Sequence, residues 1–144
     1  MSRTTDPEVR RRALVAAARR VRTRAHAPYS GFRVGAALRT RDGRVFAGCN
    51  VENASLGAGI CAERSAVLQA VASGMRPGDL EAVAVYTADR RLTPPCGMCL
   101  QVLVEFGREV EVLLAAPGKR RRLRLADLYP EPFTDFPRPA WRRR

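Results

Sequence analysis

The sequence contains no long hydrophobic segment. Its longest apolar runs, such as residues 110 to 116, fall far short of the ~18 apolar residues that indicate a membrane-spanning helix. Residues 10 to 12 are all arginine and precede only a short apolar stretch, so no secretory signal is predicted. An arginine-rich start also occurs in mitochondrial transit peptides, but Asp6 and Glu8 argue against one. We therefore expect a cytoplasmic protein without a membrane partner.

Histidine and aromatic residues are also scarce. The single histidine, His26, has no partner nearby in the sequence, and we interpret it as a loop residue and not as a metal ligand. Aromatic residues make up 6% of the chain, which leaves few side chains for stacking on nucleic-acid bases. An apolar content of 46% is nevertheless typical of a globular protein, and 144 residues suit one domain that buries roughly two-thirds of its unfolded surface.

Positive charge is in excess and is confined to the two ends of the chain. Lys and Arg number 26 and Asp and Glu 14, which gives a formal charge of +12. Residues 1 to 24 have 8 basic and 2 acidic residues, residues 118 to 144 have 9 and 3, and residues 25 to 117 have 9 of each. Each end is thus +6 and the middle is neutral. Clustered cations suggest nucleic-acid binding, but the motifs with chemistry lie in the neutral middle, and we do not expect a nucleic-acid partner.

The predicted helices and strands alternate along the chain. Asp6 and Pro7 indicate the start of a basic helix over about residues 6 to 24, and Asp42-Gly43 indicates a hairpin. Hydrophobic periodicity adds strands at 34 to 38, 44 to 49, 80 to 87 and 110 to 116, helices at 60 to 73 and 96 to 107, and a last short strand or turn at 123 to 128. This order predicts an α/β protein with helices packed on a mixed β-sheet. We expect a single domain over residues 1 to 133 and an Arg/Pro-rich tail over 134 to 144.

Three of the four cysteines lie at predicted helix starts. Cys61 begins the second helix, and Cys96 and Cys99 begin the third, where residues three apart share one face. A helix N-terminus favours a thiolate by roughly 0.3 to 1 kcal/mol, and zinc binds the thiolate. Three sulfur ligands leave the fourth tetrahedral position open for water, as in catalytic sites. We therefore predict Zn²⁺ on these three cysteines.

Charged residues close to Cys61 complete the predicted centre. Glu63 lies in the same helical turn as Cys61 and is placed to act as a general acid/base beside the open ligand position. Arg64 is a candidate to compensate the negative charge of three thiolates. A Cys or His, a spacer and a Glu, followed later by Pro-Cys-x-x-Cys, is the pattern of zinc deaminases. The alternative is a closed structural site with Cys49 as fourth ligand, although a small buried thiol is the ordinary interpretation of Cys49.

Four stretches resemble the short-chain cytidine deaminase family. They are residues 28 to 38 (PYSGFRVGAAL), 48 to 55 (GCNVENAS), 61 to 64 (CAER) and 95 to 103 (PCGMCLQVL), and the similarity extends over roughly residues 27 to 133. The resemblance implies a three-layer α/β fold and a homotetramer whose active sites are completed by neighbouring subunits. It also implies hydrolysis of cytidine and deoxycytidine to the uridines, with release of ammonia, in pyrimidine salvage.

The resemblance further implies roles for residues around the zinc site. Asn50 and Glu52 match a pair that binds the ribose hydroxyls, and Phe32 matches an aromatic residue that lines the pyrimidine pocket. Ala54 and Phe133 match residues that reach the site of a neighbouring subunit. The expected mechanism has the glutamate take a proton from zinc-bound water, which attacks C4 of the base. The glutamate then delivers protons to N3 and to the leaving amine.

Two departures from the family pattern and three other functions stay open at this point. Leu56 stands where the family usually has Tyr, and Leu100 where it usually has Arg. A deaminase of another aminonucleoside, including a blasticidin-type antibiotic, shares the same zinc chemistry. The terminal arginines alternatively suggest a nucleic-acid-binding module with structural zinc, or a deaminase that edits a polynucleotide.

Overall fold

A computed structural model of the chain describes residues 6 to 135. Its helices are α1 (Pro7–Arg22), α2 (Ala62–Ala72), α3 (Gly97–Val104) and α4 (Leu125–Leu128), and its strands are β1 (Val34–Thr40), β2 (Val45–Cys49), β3 (Leu80–Thr87), β4 (Glu111–Ala116) and β5 (Lys119–Arg124). A short 3-10 helix spans Leu56–Ala58. Up to β4 the elements follow the predicted order, with ends within three residues of the predicted ones. Of the predicted tail, residues 136 to 144 lie outside the described part.

The five strands form one mixed sheet in the order β2-β1-β3-β4-β5. β1 pairs antiparallel with both β2 and β3, β3 and β4 are parallel, and β5 is antiparallel to β4. The hairpin between β1 and β2 turns at Gly43, whose φ of +89° is a conformation that glycine adopts without steric cost. The parallel pair is connected through α3, as parallel strands require a crossover.

Helices cover both faces of this sheet. Side chains alternate between the faces along each strand, so Leu38 and Val83 pack in a core cluster with α2, α3 and α4, whereas Ala37 and Ala84 pack in a second cluster with α1. The sheet thus separates α1 from α2 and α3. The three-layer α/β fold implied by the resemblance is confirmed.

The first helix is held on the sheet by a narrow apolar stripe. Asp6 Oδ1 accepts a hydrogen bond of 2.8 Å from the Glu8 N–H, and Pro7 occupies the first turn, so the predicted helix start is confirmed. Leu14 and Ala18 lie one turn apart and are fully buried against the strands. The remaining surface of α1 is rich in arginine.

The second helix approaches β2 at a glycine. A Cβ atom at Gly48 would lie 2.7 Å from the Ala62 carbonyl oxygen and 2.8 Å from the Ser65 carbonyl carbon, which is closer than real Cβ atoms come to backbone. The absence of a side chain at Gly48 therefore allows the first turns of α2 to lie directly on the strand. This contact matters because the first turn of α2 contains residues of the predicted zinc site.

The prediction for residues 123 to 128 is wrong. The last strand, β5, already begins at Lys119 and ends at Arg124, and Leu125–Leu128 forms the short helix α4. Five of the six residues of β5 are basic, and the strand lies at the sheet edge, so no apolar alternation reveals it in the sequence. Its pairing with β4 satisfies the backbone instead. Within residues 6 to 135, no helix is long and apolar enough to cross a membrane.

Candidate metal centre

Two helix N-termini bring the three predicted cysteine ligands together. Cys61 is the N-cap residue of α2, Cys96 is the N-cap residue of α3, and Cys99 lies in the first turn of α3. Neither N-cap side chain hydrogen-bonds to its own helix. Both helices pack on the same face of the sheet and contact each other, so the three sulfur atoms meet between them.

The spacing of the sulfur atoms suits a single zinc ion. The Sγ atoms of Cys61 and Cys96 lie 3.7 Å apart, and the Sγ atoms of all three cysteines lie within 4.8 Å of one another. A tetrahedral zinc ion with Zn–S distances of about 2.3 Å requires sulfur atoms ~3.8 Å apart. Among residues 6 to 135, this is the one group of three or more His, Cys, Asp or Glu side chains placed to share a metal ion.

The cluster already favours a thiolate at one position. Hydrogen bonds from Cys99, which has the largest effect, and from Arg64 and Cys96 lower the pKa of Cys61 to about 5, although burial opposes them. The pKa of Cys99 is raised, first by its interaction with the neighbouring Cys61 and then by burial of the side chain. Since zinc binds thiolates, binding of the metal displaces the proton from Cys99.

Glu63 lies buried next to these sulfur atoms. It occupies the first turn of α2, and its Oε2 accepts a hydrogen bond from the Cys99 thiol at 3.7 Å. Burial raises the pKa of Glu63, and the negative charge of Cys61 raises it further. A raised pKa makes it easier for this carboxyl group to hold a proton that it has accepted, which suits a general acid/base.

Arg64 places its guanidinium beside the same cluster. Its Nη2 lies 3.8 Å from the Cys61 Sγ and donates to the Gly59 carbonyl at 3.3 Å. Its Nε is buried and has no hydrogen-bond partner among the described residues. A buried donor without a partner costs about 1–3 kcal/mol, so this guanidinium suits a site in which the neighbouring thiols become fully charged on metal binding.

The fourth cysteine lies on the opposite face of the sheet. Gly48 faces α2, so the next residue of β2, Cys49, faces α1. Its cross-strand partner Gly35 likewise contacts α1, since a Cβ there would overlap the Ala18 carbonyl oxygen. Cys49 is therefore separated from the other three cysteines by the strand itself, and the alternative of a closed four-cysteine site is not realised.

Asn50 and Glu52 brace the loop that precedes β1. The Asn50 side chain accepts from the Val34 N–H and donates to the Phe32 carbonyl, both at 2.8 Å. Glu52 Oε1 accepts from the N–H groups of Tyr29 and Ser30 at 3.0 and 3.1 Å, and its other oxygen accepts from the Ser30 hydroxyl. These contacts lower the pKa of Glu52, the Ser30 hydroxyl having the largest effect. The contact between Ser30 and Glu52 was not predicted from the sequence.

The remaining predicted residues lie exposed at the surface. Phe32 lies in the loop that Asn50 braces, Ala54 is exposed ahead of the 3-10 helix, and Phe133 is exposed near α3. Gln101 of α3 donates to the Phe133 carbonyl at 2.7 Å and accepts from the Tyr129 hydroxyl at 2.9 Å. These two hydrogen bonds hold the segment after α4 against α3. The hydrogen bond between Gln101 and Tyr129 was not predicted, because no local pattern in the sequence links residues 28 positions apart.

Comparison with known proteins identifies the family. The family described as "Cytidine and deoxycytidylate deaminase zinc-binding region" matches residues 9–115. A protein named cytidine deaminase from Halalkalibacterium halodurans is 41% identical over 126 residues, which cover 86% of this chain and 94% of that protein. The crystal structure of cytidine deaminase from Burkholderia pseudomallei has a TM-score of 0.82 and 49% identity, and the match covers 85% of this chain and 98% of that chain.

The blasticidin type of deaminase is less similar. Blasticidin-S deaminase from Bacillus cereus is 30% identical over 107 residues, which cover 70% of this chain and 76% of that protein. The family match extends over well more than half of the chain, and it includes α1, β1 to β4 and both cysteine-bearing helices. The zinc-binding description agrees with the three-cysteine cluster, which makes zinc the metal of this site. The chain therefore belongs to the cytidine and deoxycytidylate deaminase family.

Proposed function

We propose that the protein hydrolyses cytidine and deoxycytidine to uridine and deoxyuridine and releases ammonia. The observation that carries the proposal is a buried carboxyl group next to a cluster of three thiols, with Glu63 Oε2 3.7 Å from the Cys99 Sγ. Three thiolates leave one zinc position open for water, as hydrolytic chemistry requires. A structural site would use a fourth protein ligand, but Cys49 faces the other side of the sheet.

In this mechanism Glu63 moves the protons. Zinc, when bound by Cys61, Cys96 and Cys99, lowers the pKa of a water molecule so that hydroxide is available near neutral pH. Glu63 accepts the proton that this water loses and delivers it to N3 of the pyrimidine as the new C4–O bond forms. It then takes the second proton from the C4 hydroxyl group and passes it to the amine, so the C4–N bond breaks and ammonia leaves as the C4 carbonyl forms. The raised pKa of Glu63 lets it hold the proton between these steps.

Arg64 balances the charge of the metal site. Three thiolates and Zn²⁺ together have a net charge of minus one, which weakens the attraction of the site for hydroxide. The guanidinium, 3.8 Å from the Cys61 Sγ, withdraws part of that negative charge from the sulfur.

Asn50, Glu52 and Phe32 are proposed to position the nucleoside. Each carboxylate oxygen has two acceptor sites, so Glu52 can bind a ribose hydroxyl while it still accepts from Tyr29 and Ser30. Asn50 fixes both ends of the loop segment from Phe32 to Val34 and so places the Phe32 ring. That ring is partly exposed, which leaves it free to contact the pyrimidine.

We further propose a homotetramer in which Ala54 and Phe133 reach a neighbour's site. Leu56, Met98 and Phe133 have 82%, 61% and 63% of their surface exposed, and large apolar side chains so exposed are suited to burial between subunits. Leu56, where the family usually has Tyr, would contribute an apolar contact there. All four cysteines are free thiols, which supports a cytoplasmic location, where thiols stay reduced.

The proposal is tested by measuring ammonia release from cytidine and deoxycytidine together with the zinc content per chain. We expect one zinc per chain and turnover of both nucleosides. Glu63→Gln should keep the zinc and lose about 10²- to 10⁴-fold in kcat, because the proton carrier is gone. Cys61→Ala should lose zinc and activity together. A zinc-loaded chain that releases ammonia from neither nucleoside, or faster from blasticidin S, would contradict the proposal, as would normal turnover by Glu63→Gln.

A further inference from the structure

A groove of about 540 Å³ runs between α1 and the β4–β5 turn, on the face of the sheet opposite the zinc site. Arg12 and Arg19 line one wall of the groove, and Lys119 and Arg120 line the other. Arg12 and Arg19 lie seven residues apart, so they point to the same side of α1 about 10.5 Å from each other along the helix axis. No carboxylate among the described residues lines this groove.

The cations of the groove are not neutralised within the described part of the protein. Arg12 and Arg120 make no side-chain hydrogen bond or ion pair there, and both are exposed. Arg19 lies 5.9 Å above the ring centroid of Tyr86, and Lys119 donates to the Arg90 carbonyl at 2.9 Å, so neither contact pairs the cation with an acidic group. Four like charges held together repel one another, and an anionic partner removes that repulsion.

Elsewhere on the same face, arginines are paired with acidic groups. Arg11 and Arg122 both contact Glu111, at 3.0 and 2.7 Å, and Arg124 contacts Asp127 at 2.7 Å. Arg10 contacts Glu81 at 2.7 Å. These arginines are balanced by acidic groups, whereas the four cations that line the groove are not. Arg20 and Arg24 also have no acidic partner among residues 6 to 135, but they lie outside the groove.

The walls of the groove fit a polymer of phosphate groups better than a small anion. Small-ligand sites hold their ligand with a few buried, fixed polar groups, whereas all four cations here are exposed side chains. The ring of Tyr86 at the base of the groove is buried, so no described aromatic side chain in the groove is free to stack on a base. The available contacts are consequently with a phosphate backbone and do not depend on base sequence.

We propose that the groove between α1 and the β4–β5 turn binds the phosphodiester backbone of a nucleic-acid strand. From the sequence, no nucleic-acid partner was expected, because the motifs with chemistry lie in the neutral middle of the chain. The groove agrees with that placement of the chemistry, since the sheet separates it from the zinc site. Bound strands are thus held on the outer face and are not substrates.

The test uses the full, zinc-loaded chain and a fluorescently labelled 20-nucleotide oligouridylate, which contains no cytosine. Release of counterions from four phosphate contacts predicts a slope of about −2.8 for log K against log salt, that is, about 50-fold weaker binding at 200 mM than at 50 mM salt. Arg12→Ser/Arg120→Ser should reduce the slope to about −1.4 and weaken binding at 50 mM salt at least tenfold. Release of ammonia from cytidine should stay within twofold of the parent chain.

The matched control is Arg20→Ser/Arg24→Ser, which removes the same charge from exposed residues of the α1 region outside the groove. We expect the control to weaken binding less than threefold. An equal loss in both double variants would overturn the proposal, because binding would then follow net charge alone. Absence of oligouridylate binding at 50 mM salt would also overturn it. So would micromolar binding of inorganic triphosphate without binding of the oligomer, which would assign the groove to a small anion.

Discussion

Replacing Gly48 by alanine should displace the catalytic turn of α2. The new Cβ would meet three backbone atoms of α2, among them the Ala62 carbonyl oxygen at 2.7 Å, and ordinary contact begins at about 3.4 Å. Strand and helix must therefore separate by at least 0.7 Å (3.4 − 2.7) at a point one residue from both Cys61 and Glu63. Backbone atoms cannot rotate away as a flexible side chain does, so either the turn of α2 or strand β2 has to move as a unit.

The size of the effect follows from that displacement. Overpacking of this kind costs about 1–3 kcal/mol of unfolding free energy, which corresponds to about 2 to 12 °C in Tm for a chain of this length. A shift of 1 Å in catalytic groups costs about 10²-fold in rate, so we expect kcat for cytidine to fall about 10- to 100-fold. Movement of Cys61 away from Cys96 and Cys99 should also weaken zinc binding.

The assay combines thermal unfolding, zinc content per chain and the rate of ammonia release from cytidine. Gly57→Ala is the matched control, since a Cβ at Gly57 meets nothing within 4 Å, and its stability should change by less than about 0.5 kcal/mol. Since β2 is an edge strand, it is free to move outward in place of the helix. Gly48→Ala with reduced stability but unchanged kcat and zinc content would show this and would refute the argument that Gly48 positions the site.

Three further predictions concern the metal centre. Cys49→Ala should retain one zinc per chain and most of the activity, measured by metal analysis and ammonia release, and loss of zinc would contradict the placement of Cys49 on the α1 face. Arg64→Gln should lose about 10- to 100-fold in kcat or zinc affinity, with partial recovery in Arg64→Lys; a silent Arg64→Gln would remove its electrostatic role. Zinc affinity should increase at least 100-fold from pH 6 to pH 8. The reason is that Cys99, whose pKa is raised, must release its proton to bind the metal. Cys61 has a pKa of about 5 and has already lost its proton in this range. Competition with a chromophoric chelator measures this change, and a pH-independent affinity would contradict it.

Local sequence signals predicted most of the fold. The start of α1 followed from Asp6 and Pro7, and the first hairpin followed from Asp42-Gly43, because capping and turn chemistry act over a few residues. Local sequence signals did not predict strand β5. Its residues Lys119–Arg124 show no apolar alternation, and the strand exists because its backbone pairs with β4.

The chemistry of the site was likewise predicted only in part from local sequence. Two short segments already indicated zinc and a proton carrier, namely Cys61-Ala62-Glu63 and Pro95-Cys96-Gly97-Met98-Cys99. They did so because metal-ligand chemistry depends on which atoms a short segment offers. They did not show whether Cys49 joins the cluster. That question depends on which face of β2 each residue occupies, and only the register with β1 and the contact of Gly48 with α2 decide it.

The sequence also located the terminal positive charge but did not show which of those charges are paired. The sequence alone determined that the net positive charge lies at the two ends and that the middle is neutral. Only the tertiary structure placed α1 beside β5, paired Arg11 and Arg122 with Glu111, and left Arg12 and Arg120 without partners in the described part of the chain. The physical reason is that the meaning of a charge depends on its neighbours in space, and those neighbours come from residues about 100 positions apart in the chain.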